Sequence, residues 1–89
     1  MLESSLRPTD FTQKILVVED DPSVQEHLRK LFSSKGYTVQ VVGRVDEAVH
    51  LLSVEHFPLI VTCLRLPDGN GTEILDIVQQ KNLRSAVLV

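Results

Sequence analysis

The amino-acid sequence predicts an α/β fold built on a parallel sheet of about four strands with three helices. Short runs of β-branched residues alternate with longer amphipathic segments, in the order βαβαβαβ. The segments between them are short and rich in Gly, Pro, Asn and Asp, which are typical of turns. Alternation of this kind favours right-handed crossovers between parallel strands of one sheet.

The first strand and helix are predicted over residues 15–36. Residues 15–18 are continuously apolar, as is typical of a strand buried on both faces of a parallel sheet. Asp21 can cap a helix that begins at Pro22, where the missing N–H costs nothing. Gly36 suits the left-handed position after a helix end. The helix presents one apolar stripe, formed by Val24, Leu28, Leu31 and Phe32.

The second strand differs from the first in its pattern. Residues 37–41 alternate apolar and polar side chains, which favours a half-exposed strand at the sheet edge. A second helix is predicted from about residue 45 to 55. Its apolar face consists of Val45, Ala48, Val49 and Leu52. An outermost second strand fits the flavodoxin-like doubly wound order, here 2-1-3-4.

A third strand, helix and turn follow the same plan. Residues 59–63 predict a buried strand, and a loop over 66–71 leads into the third helix. Asn70 and Glu73 have the spacing of a capping box, with Asn in place of the usual Ser or Thr. The inward side chains of this third helix are Ile74, Ile77 and Val78. Residues 86–89 predict a fourth buried strand.

Composition narrows the classes of function. The chain has 89 residues, of which 43% are hydrophobic and 24% charged, and these values indicate one soluble domain. Its net charge of −3 gives no basic footprint for nucleic acid. A single cysteine and no long apolar run favour a cytoplasmic location without membrane contact. The polar residues 1–13 are expected to form a disordered arm before a domain over 14–89.

Functional groups of a doubly wound sheet gather beyond the carboxyl ends of its strands. Strands 1 and 3 are neighbours in the predicted order, so Glu19, Asp20 and Cys63 should converge. Two carboxylates at one edge can bind a hard cation such as Mg2+, which keeps several waters. The alternative is that the acidic run, which includes Asp21, only caps the first helix and complements its dipole.

These segments carry a resemblance to a known family. The pieces that match in order and spacing are residues 15–22, 36–39, 45–48 and 64–71. Over residues 14–89 the chain resembles the receiver domain of two-component response regulators, in the CheY-like superfamily. It resembles the first part of a complete receiver, because the family's Ser/Thr after strand 4 and Lys after strand 5 would fall beyond Val89. The resemblance implies a role in phosphorelay signal transduction, with a histidine kinase as partner.

The resemblance also implies roles for individual positions. In the family, an aspartate just before an L-x-x-P motif accepts the phosphoryl group, and here that position is Cys63. The acidic pair that holds Mg2+ matches Glu19 and Asp20, and the backbone carbonyl of Arg65 matches a further metal ligand. Asp68 belongs to the loop and has no phosphoacceptor role in the family pattern.

A thiol at this position weakens the chemistry that the resemblance implies. Mg2+ prefers oxygen ligands, so the site loses one of its main anions and any Mg2+ binding is expected to be weak. Glu19 and Asp20 should raise the pKa of Cys63 by like-charge repulsion, which disfavours the nucleophilic thiolate. We therefore expect Cys63 to be buried and inert. The sequence predicts a pseudo-receiver that acts through protein contacts.

Two alternatives remain open. The chain could be a non-functional, truncated piece of a longer regulator, whose exposed strand at Val87, Leu88 and Val89 promotes self-association. It could also be a small redox or metal-binding domain that uses Cys63 with the two carboxylates. Zn2+ binding lacks an evident third nitrogen or sulfur ligand, because the histidines are assigned to helices or their ends. These are His27, His50 and His56.

Enzymatic function of other kinds has no support in the sequence. The chain contains no glycine loop that would cradle a nucleotide phosphate and no pair of a nucleophile with a base. The glycines at 69 and 71 flank Asn70 and are typical of a turn. We therefore predict no enzymatic activity.

Overall fold

A computed structural model describes residues 14–89, and the predicted arm over residues 1–13 lies outside this range. The described part contains three helices and six strands. The helices are α1 (Pro22–Ser33), α2 (Val45–Val54) and α3 (Gly71–Gln80). The strands are β1 (Lys14–Val18), β2 (Thr38–Val42), β3 (Leu59–Thr62), β4 (Arg65–Leu66), β5 (Gly69–Asn70) and β6 (Ala86–Leu88). The predicted order of elements is confirmed, with β4 and β5 added between β3 and α3.

Four parallel strands form the main sheet in the order β2-β1-β3-β6. This is the predicted 2-1-3-4 order, since β6 is the fourth strand of this sheet in the chain. The central strand β1 carries a continuous apolar run because both of its faces are covered, and residues 15–18 are at most 1% exposed. The flavodoxin-like α/β fold class is therefore confirmed.

The hydrophobic core lies between the sheet and the helices α2 and α3. Leu16 and Ile60 pair in register, so their side chains point to the same face of the sheet. They pack with Ala48 of α2 and Ile74 of α3, all of which are fully buried. The remaining buried members of this cluster are Val18, Val45, Leu52, Phe57, Leu66 and Val78. The predicted apolar faces of α2 and α3 therefore supply the core.

The opposite face of the sheet is covered only in part. Helix α1 contacts β1 and β2 there, but none of its own residues is buried. The predicted stripe on α1 is consequently less buried than expected, with Val24 36% and Leu31 41% exposed. On the neighbouring strands, Val61 and Leu88 pair in register on this same side. Apolar side chains of α1 and of the sheet therefore remain open to solvent.

Strand β6 is an edge strand in the described structure, as expected for residues 87–89, but it is not the buried strand that its apolar run alone predicted. It pairs on one side with β3, and its residues Ala86 and Leu88 are exposed. Val87 alone is half-buried, because it faces the core beneath α2 and α3. A continuous apolar run therefore marked the strand correctly but not its burial.

Candidate functional site

Backbone hydrogen bonds bring the ends of three strands together. The N–H of Cys63 donates to the carbonyl of Val18 at 2.9 Å, and the N–H of Glu19 donates to the carbonyl of Val42, also at 2.9 Å. Both bonds continue the parallel ladders by one residue beyond the strands. The side chains that follow β1 and β3 are thereby held at one edge of the sheet.

The side chains of Glu19, Asp20 and Cys63 meet at this edge. One ligand atom from each, a carboxylate oxygen or the Sγ atom, lies within 4.8 Å of the other two. Within residues 14–89 no other group of three His, Cys, Asp or Glu side chains is brought together in this way. The thiol of Cys63 also donates to the backbone carbonyl of Arg65, with 3.0 Å between sulfur and oxygen. The four groups singled out from the sequence are therefore neighbours in space.

The environment of Cys63 disfavours its thiolate. Burial contributes most to a raised pKa of the thiol, and the negative charge of Glu19 adds to it. The sequence reasoning named only the repulsion by the acidic pair, so the larger cause was missed. Cys63 is also half-buried at the rim of the core, and not fully buried as predicted. Its thiol is protonated at neutral pH yet within reach of solvent.

The acidic run after β1 combines the two functions that the sequence left open. Asp21 is the N-cap of α1, and its carboxylate accepts from the N–H of Ser23 at 2.9 Å and of Val24 at 3.4 Å. The Ser23 side chain and these backbone bonds lower the pKa of Asp21. Glu19 and Asp20 instead lie beside Cys63. Capping and site formation are therefore divided among the three acidic residues.

Asp68 ties the loop after Cys63 to helix α2, which sequence reasoning did not anticipate. Its carboxylate accepts from the N–H of Val45 at 2.7 Å and of Asp46 at 3.0 Å. The bond from Asp46 is the main cause of a lowered pKa at Asp68. The N-cap residue of α2, Arg44, supplies no side-chain cap of its own. The signal that could have revealed this cap is the absence of Ser, Thr, Asp or Asn at the N-cap position of α2, because the first N–H groups of a helix then need an acceptor from another part of the chain.

Gly71 allows the start of α3 to approach the end of β3. A Cβ atom at this position would overlap the carbonyl oxygen of Cys63, and it would lie 2.9 Å from Oγ1 of Thr62. The N–H of Gly71 donates to the carbonyl of Leu64 at 2.8 Å, which closes the loop around β4 and β5. The glycine was assigned to turn chemistry from the sequence, but its role is this close packing.

The histidines lie outside the site. His27, His50 and His56 are exposed on or beside α1 and α2, and none joins the cluster of Glu19 and Cys63. Among the described residues, the site therefore offers one sulfur donor and several oxygen donors. None of the described helices has the length and apolar character needed to cross a membrane.

Comparison with known proteins identifies the family of this chain. The family model described as "Response regulator receiver domain" matches residues 15–89. The chain belongs to this family. Receiver domains are the signalling modules of two-component response regulators, so the resemblance predicted from the motifs is confirmed. The position before the L-x-x-P motif of this receiver is Cys63.

Curated relatives are longer than this receiver. The receiver is 36% identical over 76 residues to the transcriptional regulatory protein PmrA of Pectobacterium parmentieri. This alignment covers 85% of the receiver chain and 34% of PmrA. The receiver is also 35% identical over 75 residues to the response regulator protein PilR of Pseudomonas aeruginosa. That alignment covers 84% of the receiver chain and 17% of PilR. The chain therefore spans about a third or less of the curated relatives that it matches.

Solved receiver structures share the fold. The MaeR response regulator bound to beryllium trifluoride superposes with a TM-score of 0.80 at 30% identity, over 86% of this chain and 65% of MaeR. The non-phosphorylated receiver domain of HemR from Leptospira biflexa gives a TM-score of 0.72 at 36% identity, over 80% of this chain and 58% of HemR. These likenesses support the flavodoxin-like α/β fold of the receiver.

Receiver domains bind Mg2+ at their phosphorylation site. The donor set of this receiver fits that ion poorly. Mg2+ requires near-ideal octahedral oxygen coordination, whereas one of the converging side-chain donors here is the sulfur of Cys63. The carbonyl oxygen of Arg65 is also engaged, since it accepts a hydrogen bond from the thiol of Cys63. In the converging cluster found within residues 14–89, the anionic oxygens come from Glu19 and Asp20.

Proposed function

We propose that this receiver domain does not accept a phosphoryl group in the usual way, and that it acts in two-component signalling through protein contacts. The observation that carries the proposal is the thiol of Cys63 beside Glu19 and Asp20, at the position where the family has its phosphoacceptor aspartate. Contact with a histidine kinase and a cytoplasmic location, both predicted from the sequence, belong to the same proposal.

The chemistry of the side chain supports this account. Phosphoryl transfer depends on a positioned nucleophile and on cations that neutralise the charge developing on the phosphoryl oxygens. A carboxylate supplies an anionic nucleophile and a metal ligand at once. The thiol of Cys63 has a raised pKa, so at neutral pH it supplies neither an anionic nucleophile nor an oxygen ligand for Mg2+. Phosphoryl uptake should therefore be lost while the fold is kept.

The direct test is incubation with Mg2+ and a small phosphoryl donor such as acetyl phosphate. Intact-mass spectrometry should show no added phosphoryl group on the unmodified chain. Substitution of Glu19 by Gln should change nothing under these conditions, because the acceptor is already absent. Stable phosphorylation of the unmodified chain, mapped to Cys63, would refute the proposal.

Self-association is the second part of the proposal. Among residues 14–89, edge strand β6 pairs with β3 on one side only, and Leu88 and Val89 are 57% and 60% exposed. Such an edge is a template for strand pairing with another chain. The partly open face beside Val61, described above, lies next to it. We propose that the 89-residue chain associates with itself at this edge when no other partner covers it.

A redox function is the alternative that the exposure of Cys63 keeps open. The thiol is half-buried and therefore reachable, unlike the fully buried cysteine that was predicted. Its raised pKa nevertheless argues against rapid oxidation, which needs thiolate character. Mass spectrometry after brief treatment with dilute peroxide distinguishes the two, since a redox function requires sulfenic acid or a derived disulfide at Cys63.

A further inference from the structure

We infer that the cluster of Glu19, Asp20 and Cys63 binds a thiophilic divalent cation of the Zn2+ class in place of Mg2+. The inference deepens the proposed function and depends on it, because both start from the sulfur donor at the position of the phosphoacceptor. It concerns what occupies the site, whereas the proposed function concerns what the site no longer does.

The positions of the donors suit such an ion. The side-chain ligand atoms lie within 4.8 Å of one another, and the carbonyl oxygen of Arg65 is 3.0 Å from Sγ of Cys63. Around a tetrahedral Zn2+ ion, with bonds of about 2.0–2.3 Å, neighbouring ligands are about 3.3–3.8 Å apart. The proposal requires side-chain rotations of Glu19 and Asp20 to close the remaining gap. The backbone hydrogen bonds of Cys63 and Glu19 hold their main chains in place meanwhile.

The chemistry of the donors distinguishes the two cations. Thiolate ligands select Zn2+ over Mg2+, whereas carboxylate, carbonyl and water oxygens suit Mg2+. The set here combines one sulfur with two carboxylates and one carbonyl. Three of these groups bear a negative charge once the cysteine binds as thiolate and its proton passes to solvent. A doubly charged ion compensates most of that charge.

The site is open enough for an ion to enter. Asp20 is exposed, and Glu19 and Cys63 are each half-exposed at the sheet edge. An ion there can complete its coordination with water and does not need the buried cavity of a structural zinc site. The absence of histidine from the cluster predicts an affinity below that of structural sites with four Cys or His ligands.

The test is a titration of the full 89-residue chain with Zn2+, followed by competition with a chromophoric chelator, and with Co2+ as a coloured substitute. We expect saturation at one ion per chain and a near-ultraviolet absorption from Co2+ bound to sulfur. Addition of Mg2+ in large excess should displace neither ion. The acetyl phosphate assay on the same sample shows independently whether the proposed function holds.

Three variants locate the ion. Cys63→Ser keeps a hydroxyl that can donate to the Arg65 carbonyl, but it should abolish the sulfur absorption. It should also weaken Zn2+ binding by more than tenfold, because loss of a group that only supports a ligand already costs about 10–100-fold. Glu19→Gln should weaken binding without removing the absorption. The matched control replaces His27, His50 and His56 by Ala and should leave both readouts unchanged.

Each outcome decides the inference. Zn2+ binding that persists unchanged in Cys63→Ser, or that disappears in the histidine variant, would show adventitious surface binding and overturn it. No binding by the unmodified chain would also overturn it, and the proposed loss of phosphoryl uptake would stand if acetyl phosphate still gave no product. Phosphorylation without Zn2+ binding would refute both.

Discussion

The carboxylate of Asp68 caps helix α2 at Val45, with 2.7 Å between the carboxylate oxygen and the backbone nitrogen of a residue 23 positions earlier in the chain. A second bond to the N–H of Asp46 and an ion pair with Arg44 at 3.7 Å complete the contact. Asp68 lies in the loop that follows Cys63. The contact therefore connects the loop of the candidate site to the N-terminus of α2.

Removal of this cap should lower the stability of the domain and change its pH dependence. The pKa of Asp68 is lowered in the folded state, so its contribution is present above the unfolded value of about 3.9 and is lost as the pH falls through the folded value. Asp68→Asn should lower the urea midpoint at pH 6. Below about pH 4, the free energy of unfolding of this variant should fall less steeply with decreasing pH than that of the unmodified chain. Asp76→Asn, which removes an exposed charge from α3, is the control. Equal effects of the two substitutions would contradict the capping role.

Gly71 should tolerate no side chain. In Gly71→Ala the new Cβ overlaps the Cys63 carbonyl, and both atoms belong to ordered main chain, so a backbone shift costing about 1–3 kcal/mol is expected. Gly43→Ala is the matched control, because there the nearest atom is 3.6 Å away. The free energies of unfolding in urea test the pair. A small, equal effect at both glycines would show that the approach of α3 to β3 is looser than described.

Cys63 should react slowly with alkylating reagents near neutral pH. Its thiol pKa is raised, so the reactive thiolate forms at a higher pH than in an unfolded chain. The rate with iodoacetamide should be lower in the folded chain than in urea, and should keep rising above pH 9. The same shift means that stability declines as the pH rises past the unfolded thiol pKa, because the folded state then binds more protons. Cys63→Ser removes both effects, whereas fast alkylation of the folded chain at pH 7 would favour the redox alternative.

The edge at β6 predicts concentration-dependent association. Leu88→Glu places a charge on the exposed strand and should raise the dissociation constant of any dimer at least tenfold, or about 1.4 kcal/mol. Leu64→Glu serves as the control, because Leu64 is similarly exposed at 52% but lies in the loop after β3. Analytical ultracentrifugation over a range of concentrations measures the effect. A monomer at every concentration would contradict the proposed self-association.

Sequence patterns predicted the elements of the fold well because each has a local signature. The run over 15–18, the cap at Asp21 and the alternation over 37–41 depend on neighbouring residues only. The burial of β6 and α1 could not be deduced from their own apolar patterns, since burial depends on what covers an element; the exposed edge at residues 87–89 was expected from the strand's place in the sheet. The cap from Asp68 was missed for a related reason, because its partners lie 22 and 23 residues away.

The candidate site could be located from the sequence but not fully characterised. The parallel strand order alone places Glu19, Asp20 and Cys63 at one edge. The degree of burial of Cys63, the bond from its thiol to the Arg65 carbonyl and the leading contribution of burial to its pKa follow only from packed coordinates. A pattern of residue types can indicate which groups meet, whereas their protonation depends on how much water surrounds them.

The central claim is that Cys63 alone silences an otherwise intact acidic site. Its most direct test is a titration with Mg2+ and beryllofluoride, followed by amide chemical shifts around Glu19 and residue 63, on the unmodified chain and on Cys63→Asp. We predict shifts in Cys63→Asp and none in the unmodified chain. The absence of shifts in both would favour a non-functional piece of a longer regulator, and saturable shifts in the unmodified chain would contradict the claim.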